Sequence, residues 1–236
     1  MIDFYYAPTP NGWKIAIMLE ECGLKYKTVL VRLADGEQFN ADFLAISPNA
    51  KIPAIVDYGV EGDPINVFES GAILLYLAQR TEKFILTDQR NFKETYEWLF
   101  WQVGNQGPIG GQLSHFVNYA PGEHTYSLNR YRGEYERNLA VLEKRLEGRQ
   151  YILGETYTIC DIVSFPWAFI AKNLGVTFND FPNVAAWRER IKIRPAVRNA
   201  INLMKEKHSR GLHNAGNNNI LYNQNAQHIL GETLES

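Results

Sequence analysis

The most constraining feature of the chain is a change in hydrophobic period between residues 1–80 and the rest of the sequence. Short runs rich in β-branched and aromatic residues predict four strands, at 2–6, 28–33, 54–57 and 65–68. Helical spacing of apolar residues predicts helices at 13–22 and 70–79. A strand, a helix and a strand within about 30 residues imply a right-handed crossover between parallel strands. The first part of the chain is therefore a mixed α/β domain.

From about residue 90 the strand signal disappears and apolar residues recur every three or four positions. One amphipathic helix of about five turns is indicated by Leu128, Tyr131, Tyr135, Leu139, Leu142 and Leu146. An earlier helix carries Phe92, Tyr96, Leu99 and Val103 in the same pattern. We interpret both aromatic stripes as core packing.

The two periods divide the chain. Its order of elements predicts a thioredoxin-like α/β domain at 1–80, followed by a linker at 81–91 and an all-α helical-bundle domain at 92–210. An Asn-rich extension at 211–236 has no periodicity, which indicates a surface-draped or disordered segment.

Composition limits the partners of the chain. Its 24 basic and 26 acidic residues give a net charge of −2, so no positive surplus exists to neutralise a nucleic-acid backbone. No stretch approaches the ~18 consecutive apolar residues of a membrane span, and the N-terminus lacks the pattern of a signal peptide. The two cysteines, Cys22 and Cys160, are typical of a reducing compartment and too few for a four-cysteine zinc site. We expect a cytoplasmic protein without nucleic-acid, membrane or metal partners.

Motifs of several common catalytic classes are missing from the sequence, including the P-loop, GxGxxG, GxSxG and HExxH. Open α/β sheets bind ligands in the loops at their strand ends. One such loop, at 7–12, places Thr9 and Asn11 beside the start of the first helix. These side chains suit helix capping and ligand contact about equally, so both roles stay open.

Two further loops carry polar or exposed backbone groups. A cis bond before Pro53 would turn the backbone of Ile52 outward to pair with an extended peptide, whereas a trans proline would simply open a strand. Ser70 offers an amide and a hydroxyl to an anion at a helix N-terminus, and Glu69 suits a cation, although either residue could serve as a helix cap alone. Together the three loops indicate a site for a small peptide with an amino-acid-like end, and glutathione fits that description.

The same loops carry a family resemblance. The chain resembles the glutathione transferase superfamily in APTPNG at 7–12, ISPNAKIPA at 46–54, FESGAI at 68–73 and GETYTICD at 154–161. In the last of these, Thr158 and Asp161 form a capping box, which is structural rather than catalytic. The similarity covers residues 1 to about 207.

A subgroup is indicated by TPNG at 9–12, LFWQVG at 99–104 and Gly107-Pro108. These segments are similar to the bacterial Nu class, known as glutathione-dependent disulfide-bond reductases, and to its yeast prion-forming relative. The resemblance implies a homodimer with Thr9 near the glutathione sulfur and Arg130 reaching a glutathione across the dimer. It also implies that glutathione is bound by Asn11, Gln38, Ile52, Glu69 and Ser70.

The sequence departs from the many family members that place a Tyr, Ser or Cys beside the sulfur. Tyr5 and Tyr6 belong to the first strand, and we interpret Tyr6 as structural. Cys22 ends the first helix and Cys160 lies in the capping box, so both are expected to be buried and unreactive. The resemblance to the Nu class points instead to Thr9 and Asn11, which we take as the catalytic residues acting on the thiolate of bound glutathione.

The function expected from these observations is reduction of disulfides by glutathione as cosubstrate, without a metal. Two alternatives use the same site for conjugation of glutathione to an electrophile or for reduction of a peroxide. A third alternative is a non-catalytic glutathione-binding regulator, which the yeast relative suggests.

Overall fold

The structure is a computed structural model that describes residues 1–204, 220 and 224–230. Residues 205–219, 221–223 and 231–236 lie outside the described residues, so the expectation for most of the extension at 211–236 falls outside them too. Within the extension, Ala226–Leu230 forms a short helix, which we label α10.

The N-terminal part folds as a thioredoxin-like domain, as the sequence predicted. Its strands and α-helices in chain order are β1 Ile2–Tyr6, α1 Pro10–Cys22, β2 Tyr26–Leu30, α2 Ala41–Leu44, β3 Ala54–Asp57, β4 Ile65–Phe68 and α3 Ser70–Thr81. Two 3-10 turns, Leu33–Asp35 and Glu37–Phe39, lie between β2 and α2. The strand order is β2-β1-β3-β4, with β2 parallel to β1 and the other two pairings antiparallel.

Three elements differ in their bounds from those predicted, and the smallest difference is that α3 ends at Thr81 rather than at residue 79. Strand β2 covers Tyr26–Leu30 rather than 28–33, because it pairs residue for residue with β1 and ends with it. Helix α1 begins at Pro10 rather than at residue 13, since Thr9 caps it and a proline suits the first helical position. The loop between β1 and α1 is therefore only three residues long, which holds Thr9 against the end of the sheet.

The remaining described elements are helical. They are α4 Gln89–Trp101, α5 Gly107–Asn118, α6 Thr125–Arg145, α7 Ile159–Phe169, α8 Pro182–Lys192 and α9 Pro195–Asn202. A π-helical turn, Gln102–Gln106, joins α4 to α5. The amphipathic stripe predicted on α6 lies in the core, where Tyr135, Leu139 and Leu142 are fully buried. The earlier stripe is only partly core, because Leu99 is buried whereas Phe92 and Tyr96 are half-buried and pack edge to face against each other. In the described part of the chain, no helix is long and apolar enough to cross a membrane.

Helix α1 connects the two halves of the molecule. It packs against α3 of the N-terminal domain and against α7 and α9 of the helical part. Ile15, Ile17 and Leu19 are fully buried on it, so α1 is apolar on several faces at once. The start of α1 consequently faces α7, and side chains from both halves meet there.

The capping box of α7 is confirmed. Thr158 Oγ1 accepts a hydrogen bond from the Cys160 amide at 3.3 Å, and Asp161 accepts one from the Thr158 amide at 2.9 Å. Asp161 also accepts from the Ile152 amide and from Trp187 Nε1, each at 2.9 Å. The carboxylate thus ties the start of α7 to the preceding turn and to α8.

Candidate functional site

A cavity of about 550 Å³ opens at the end of the sheet, between the loop before α1, the start of α3 and the face of α5. It brings together six of the seven residues that the sequence predicted for the site. The six that line it are Thr9, Asn11, Gln38, Ile52, Glu69 and Ser70. The seventh, Arg130, is outside the cavity lining: it is exposed on α6 and forms an ion pair with Glu134 at 2.7 Å.

Thr9 serves as both a cap and a cavity-lining residue. Its Oγ1 accepts a hydrogen bond from the Gly12 amide at 3.2 Å, which caps α1. A hydroxyl that accepts in this way keeps its own hydrogen free to donate. A Cβ atom on Gly12 would lie 2.3 Å from the Ala7 carbonyl oxygen, so only glycine permits this tight turn. Capping and ligand contact, which the sequence left as alternatives, are compatible here.

Asn11 is oriented by the helical part of the chain. Trp167 Nε1 on α7 donates to Asn11 Oδ1 at 3.0 Å. An indole N–H can only donate, so this contact fixes which end of the amide is the oxygen. The Asn11 Nδ2 group, which carries two hydrogens, therefore points away from Trp167, and no hydrogen bond to another described residue occupies it. The cavity thus receives a donor whose direction is set from the other domain.

The indole reaches Asn11 because α5 carries glycines beneath it. A Cβ atom on Gly110 would lie 2.6 Å from Trp167 Cε3. Gly107 and Gly111 line the cavity on the same helix, where the absent side chains leave room above the loop. The glycines of GPIGG at 107–111 indicate a helix face without bulky side chains. The residue that packs on this face, Trp167, is more than fifty residues away in the chain.

The peptide bond between Ile52 and Pro53 is cis, which resolves the alternatives for this loop. Among the described residues, none bonds to the Ile52 amide. Glu69 precedes α3 with φ of +68°, a strained conformation for a residue other than glycine. Its carboxylate accepts a hydrogen bond from Asn49 Nδ2 at 3.4 Å. Strained residues of this kind cluster at ligand sites, which agrees with the place of Glu69 in the cavity wall.

Gln38 is almost completely buried, with 1% of its surface exposed. Its Nε2 donates to the Leu33 carbonyl at 3.3 Å, whereas its Oε1 is buried without a hydrogen-bond partner among the described residues. An unpaired buried oxygen costs free energy unless a donor reaches it. A peptide N–H in the cavity would supply that donor, so Gln38 fits a peptide ligand.

Lys14 was missed by sequence reasoning. It lies on α1 with 1% exposure and is part of the cavity wall. Its Nζ donates to Ser70 Oγ at 3.1 Å and to Gln102 Oε1 at 2.7 Å. A lysine within the apolar run WKIAIML at 13–19 is the signal that could have identified it.

Residues that could compete as the reactive group lie elsewhere. Tyr6 is fully buried and donates to the Leu203 carbonyl at 3.4 Å, and burial raises its pKa. Cys22 and Cys160 are free, buried cysteines outside the cavity wall, and burial raises the pKa of each thiol. Neither thiol therefore supplies a thiolate to the site. Across the described ranges, there is no cluster of three or more metal-ligating side chains.

Comparisons with known proteins agree with the geometry. Residues 9–80 match the family model of the glutathione S-transferase N-terminal domain, and residues 117–195 match that of the C-terminal domain. The disulfide-bond oxidoreductase YfcG of Escherichia coli is 47% identical over 203 residues, covering 85% of this chain and 94% of that protein. The transcriptional regulator URE2 of Saccharomyces cerevisiae is 28% identical over 237 residues, covering 84% of this chain and 66% of that protein.

Among solved structures, a glutathione transferase from Burkholderia graminis with two glutathione molecules bound per subunit is 43% identical. It superimposes with a TM-score of 0.82 and covers 86% of this chain and 88% of its own. The resemblance predicted from the four sequence segments is confirmed, and the chain belongs to the glutathione S-transferase family.

Proposed function

We propose that this protein is a glutathione-dependent disulfide reductase that uses the thiolate of bound glutathione. The observation that carries the proposal is the pairing of two free donors, the Thr9 hydroxyl and Asn11 Nδ2, at a cavity that neither cysteine of the chain lines. The 47% identity to a protein named a disulfide-bond oxidoreductase supports the same reaction.

The cavity offers complementary groups to each part of glutathione. Ser70 can donate its hydroxyl hydrogen to the α-carboxylate, because its oxygen already accepts from Lys14. The Glu69 carboxylate suits the neighbouring ammonium group, and the Ile52 and Gln38 polar groups suit the peptide backbone. This arrangement leaves the cysteinyl sulfur at the Thr9 and Asn11 end of the cavity.

The chemistry consists of two thiol–disulfide exchanges. The glutathione thiol first loses its proton, and the thiolate attacks one sulfur of the substrate disulfide. A mixed disulfide forms, and the other substrate sulfur leaves as a thiolate that takes up a proton. A second glutathione thiolate then attacks the glutathione sulfur of the mixed disulfide, giving glutathione disulfide and releasing the second substrate thiol. The two glutathiones bound per subunit in the Burkholderia relative support a site with room for both.

Thr9 and Asn11 act by stabilising the thiolate. Charge-assisted hydrogen bonds from the hydroxyl and the amide favour the charged sulfur, and the N-terminus of α1 adds a positive partial charge. Lowering a thiol pKa by two units requires about 2.7 kcal/mol of preferential stabilisation. Two such hydrogen bonds are of that size.

Turnover of a small disulfide tests the proposed function. Bis(2-hydroxyethyl) disulfide is supplied together with glutathione. The formation of glutathione disulfide is followed through a coupled reductase. We expect saturable turnover above the uncatalysed rate. Saturable glutathione binding without turnover of this or other small disulfides would favour a regulator like the yeast relative, and preferential turnover of an electrophile or a peroxide would favour the corresponding alternative.

We also propose that the protein works as a homodimer in the cytoplasm. Phe100 of α4 is 65% exposed, and Ile65 and Phe68 of β4 are 40% and 38% exposed. Burial of these apolar side chains against a second copy would remove them from water. Two free cysteines suit a reducing compartment.

Substitution of Arg130 tests whether the glutathione site is shared between the two subunits. In one subunit it contacts Glu134 and lies outside the cavity, so Arg130→Ala should leave the melting temperature almost unchanged. If Arg130 reaches a glutathione of the partner, the variant should bind glutathione roughly 5–150-fold more weakly. Calorimetric titration measures this change. Arg137→Ala is the matched control, because Arg137 pairs with the same Glu134 at 3.0 Å. Equal affinities of the two variants would reject the shared site.

Trp167 is a positioning residue for Asn11. Trp167→Phe keeps an aromatic ring over Gly110 but removes the N–H that orients the amide, so Asn11 can turn its oxygen toward the thiolate. Loss of one hydrogen bond of about 1–2 kcal/mol predicts a 5–30-fold fall in turnover. Trp101→Phe, on α4 and outside the cavity wall, is the control. A Trp167→Phe variant with normal turnover and a normal glutathione thiol pKa would show that the contact has no role in the reaction.

A further inference from the structure

Lys14 is a buried base that the mechanism above does not use. It is 1% exposed, forms two hydrogen bonds to neutral side chains, and pairs with no carboxylate among the described residues. Buried lysines ordinarily need an anionic partner or lose their charge. The place of Lys14 behind Ser70, in the wall of the cavity, therefore requires an explanation.

The hydrogen bonds of Lys14 match a neutral amine. An amine has two hydrogens, and Nζ donates to two acceptors, Ser70 Oγ and Gln102 Oε1. An ammonium group has a third hydrogen that would need a further acceptor. A carboxylate bound in front of Ser70 would bring both an acceptor and a negative charge to this buried corner.

The charges around Lys14 are few. Helix α1 packs against α3, α7 and α9, and Glu69, just before α3, is the anion that acts on Lys14. Burial nevertheless dominates and lowers the pKa of Lys14 to about 7. Both forms of the side chain are thus populated near neutral pH. The other titratable groups on these elements, at the cap of α9 or in the cavity wall are Glu20, Glu21, Cys22, Lys51, Tyr76, Arg80, His115, Tyr119, Cys160, Asp161, Arg194 and Arg198.

We propose that Lys14 takes up a proton when the α-carboxylate of glutathione binds at Ser70, so that ligand binding and proton binding are coupled. The inference rests on the proposed function, because it takes glutathione as the ligand. It adds a specificity determinant, since a ligand without an α-carboxylate would leave the ammonium form unpaired.

The direction of the coupling follows from linkage. A bound carboxylate favours the charged amine, so glutathione binding raises the affinity of Lys14 for a proton. Conversely, loss of that proton weakens glutathione binding. Affinity should therefore be highest below pH 7 and should fall as the pH rises through the free-state pKa of Lys14.

Isothermal titration calorimetry with S-methylglutathione tests the proposal. The methyl group removes the thiol proton, so ionisation of sulfur does not contribute. Titrations of the full chain at pH 7.5 in phosphate and in Tris, which differ in ionisation enthalpy, give the number of protons exchanged. We expect the Lys14 contribution to be an uptake of roughly three-quarters of a proton, and affinity to be about fourfold lower at pH 7.5 than at pH 6.

Variants of Lys14 test whether this side chain is the group that takes up the proton. Lys14→Met should lose this uptake and this part of the pH dependence, and Lys14→Arg should bind with a permanent charge and no uptake from this position. The exposed Lys27→Met is the control and should behave as wild type. Equal proton uptake by wild type and a folded Lys14 variant, or no uptake by wild type, would overturn the proposal while leaving glutathione binding intact. Failure of wild type to bind S-methylglutathione at all would remove the glutathione site itself.

Discussion

Replacing Asn11 by alanine is expected to lower the turnover of a small disulfide by about 10–100-fold, the loss associated with one hydrogen bond to a charged group. Asn11 is the donor whose direction is fixed from outside its own loop, through the 3.0 Å contact with Trp167 Nε1. Without it, the glutathione sulfur keeps the Thr9 hydroxyl and the helix N-terminus but loses the amide. Steady-state kinetics with glutathione and a coupled reductase measure the change.

A second substitution at Asn11 separates the loss of the hydrogen-bond donor from the change in side-chain shape. Asn11→Asp keeps an oxygen for Trp167 but replaces the amide hydrogens by a negative charge, so it should lower turnover at least as much as Asn11→Ala. Asn173→Ala, at an exposed position, is the matched control. If Asn11→Ala retains full turnover and an unchanged glutathione thiol pKa, the amide does not stabilise the thiolate.

The largest effect on stability is expected at Asp161. Its buried carboxylate accepts from the amides of Ile152 and Thr158 and from Trp187 Nε1, all at 2.9 Å. Asp161→Ala leaves these three donors buried without an acceptor, at about 1–3 kcal/mol each before relaxation. We expect the free energy of unfolding to fall by about 3–5 kcal/mol, measured by urea denaturation.

Glutathione affinity should not respond to the loss of this carboxylate, because Asp161 is not in the cavity wall. Under conditions where Asp161→Ala remains folded, its glutathione affinity should equal that of wild type. Asp161→Asn, which keeps one accepting oxygen, should be less destabilising, and the exposed Asp180→Ala should be neutral. A stability of Asp161→Ala within 1 kcal/mol of wild type would contradict the role of the capping box stated here.

The parts of the fold that depend on local pattern could be predicted from the sequence. Strands β1, β3 and β4 have the predicted bounds, since each is a short apolar or β-branched run between turn residues. The predicted strand at 28–33 begins two residues and ends three residues later than β2, because the bounds of β2 are set by pairing with β1, and pairing partners are not visible in a local pattern.

The features of the site likewise divide into those that a local pattern predicts and those that depend on contacts between distant positions. Thr9, Asn11 and Ser70 follow from their places at helix starts, where polar side chains and free amides are expected. The contact of Trp167 with Asn11 joins positions 156 residues apart, and the contact of Lys14 with Gln102 joins positions 88 apart. Such contacts arise from the packing of α1 between the two halves of the chain, which no local signal encodes. The role of Arg130 depends on a second subunit and stays a prediction.

The central claim is that the reactive thiolate belongs to glutathione, and a thiolate titration in protein without cysteine tests it most directly. In the Cys22→Ser, Cys160→Ser variant, bound glutathione is the only thiol, so ultraviolet absorbance of the thiolate reports its ionisation alone below the range where tyrosines titrate. We predict a glutathione thiol pKa of about 6.5, against about 8.5 for an ordinary cysteine thiol, together with turnover like that of wild type. A folded variant that lacks turnover, or that binds glutathione without lowering its thiol pKa, would contradict the mechanism.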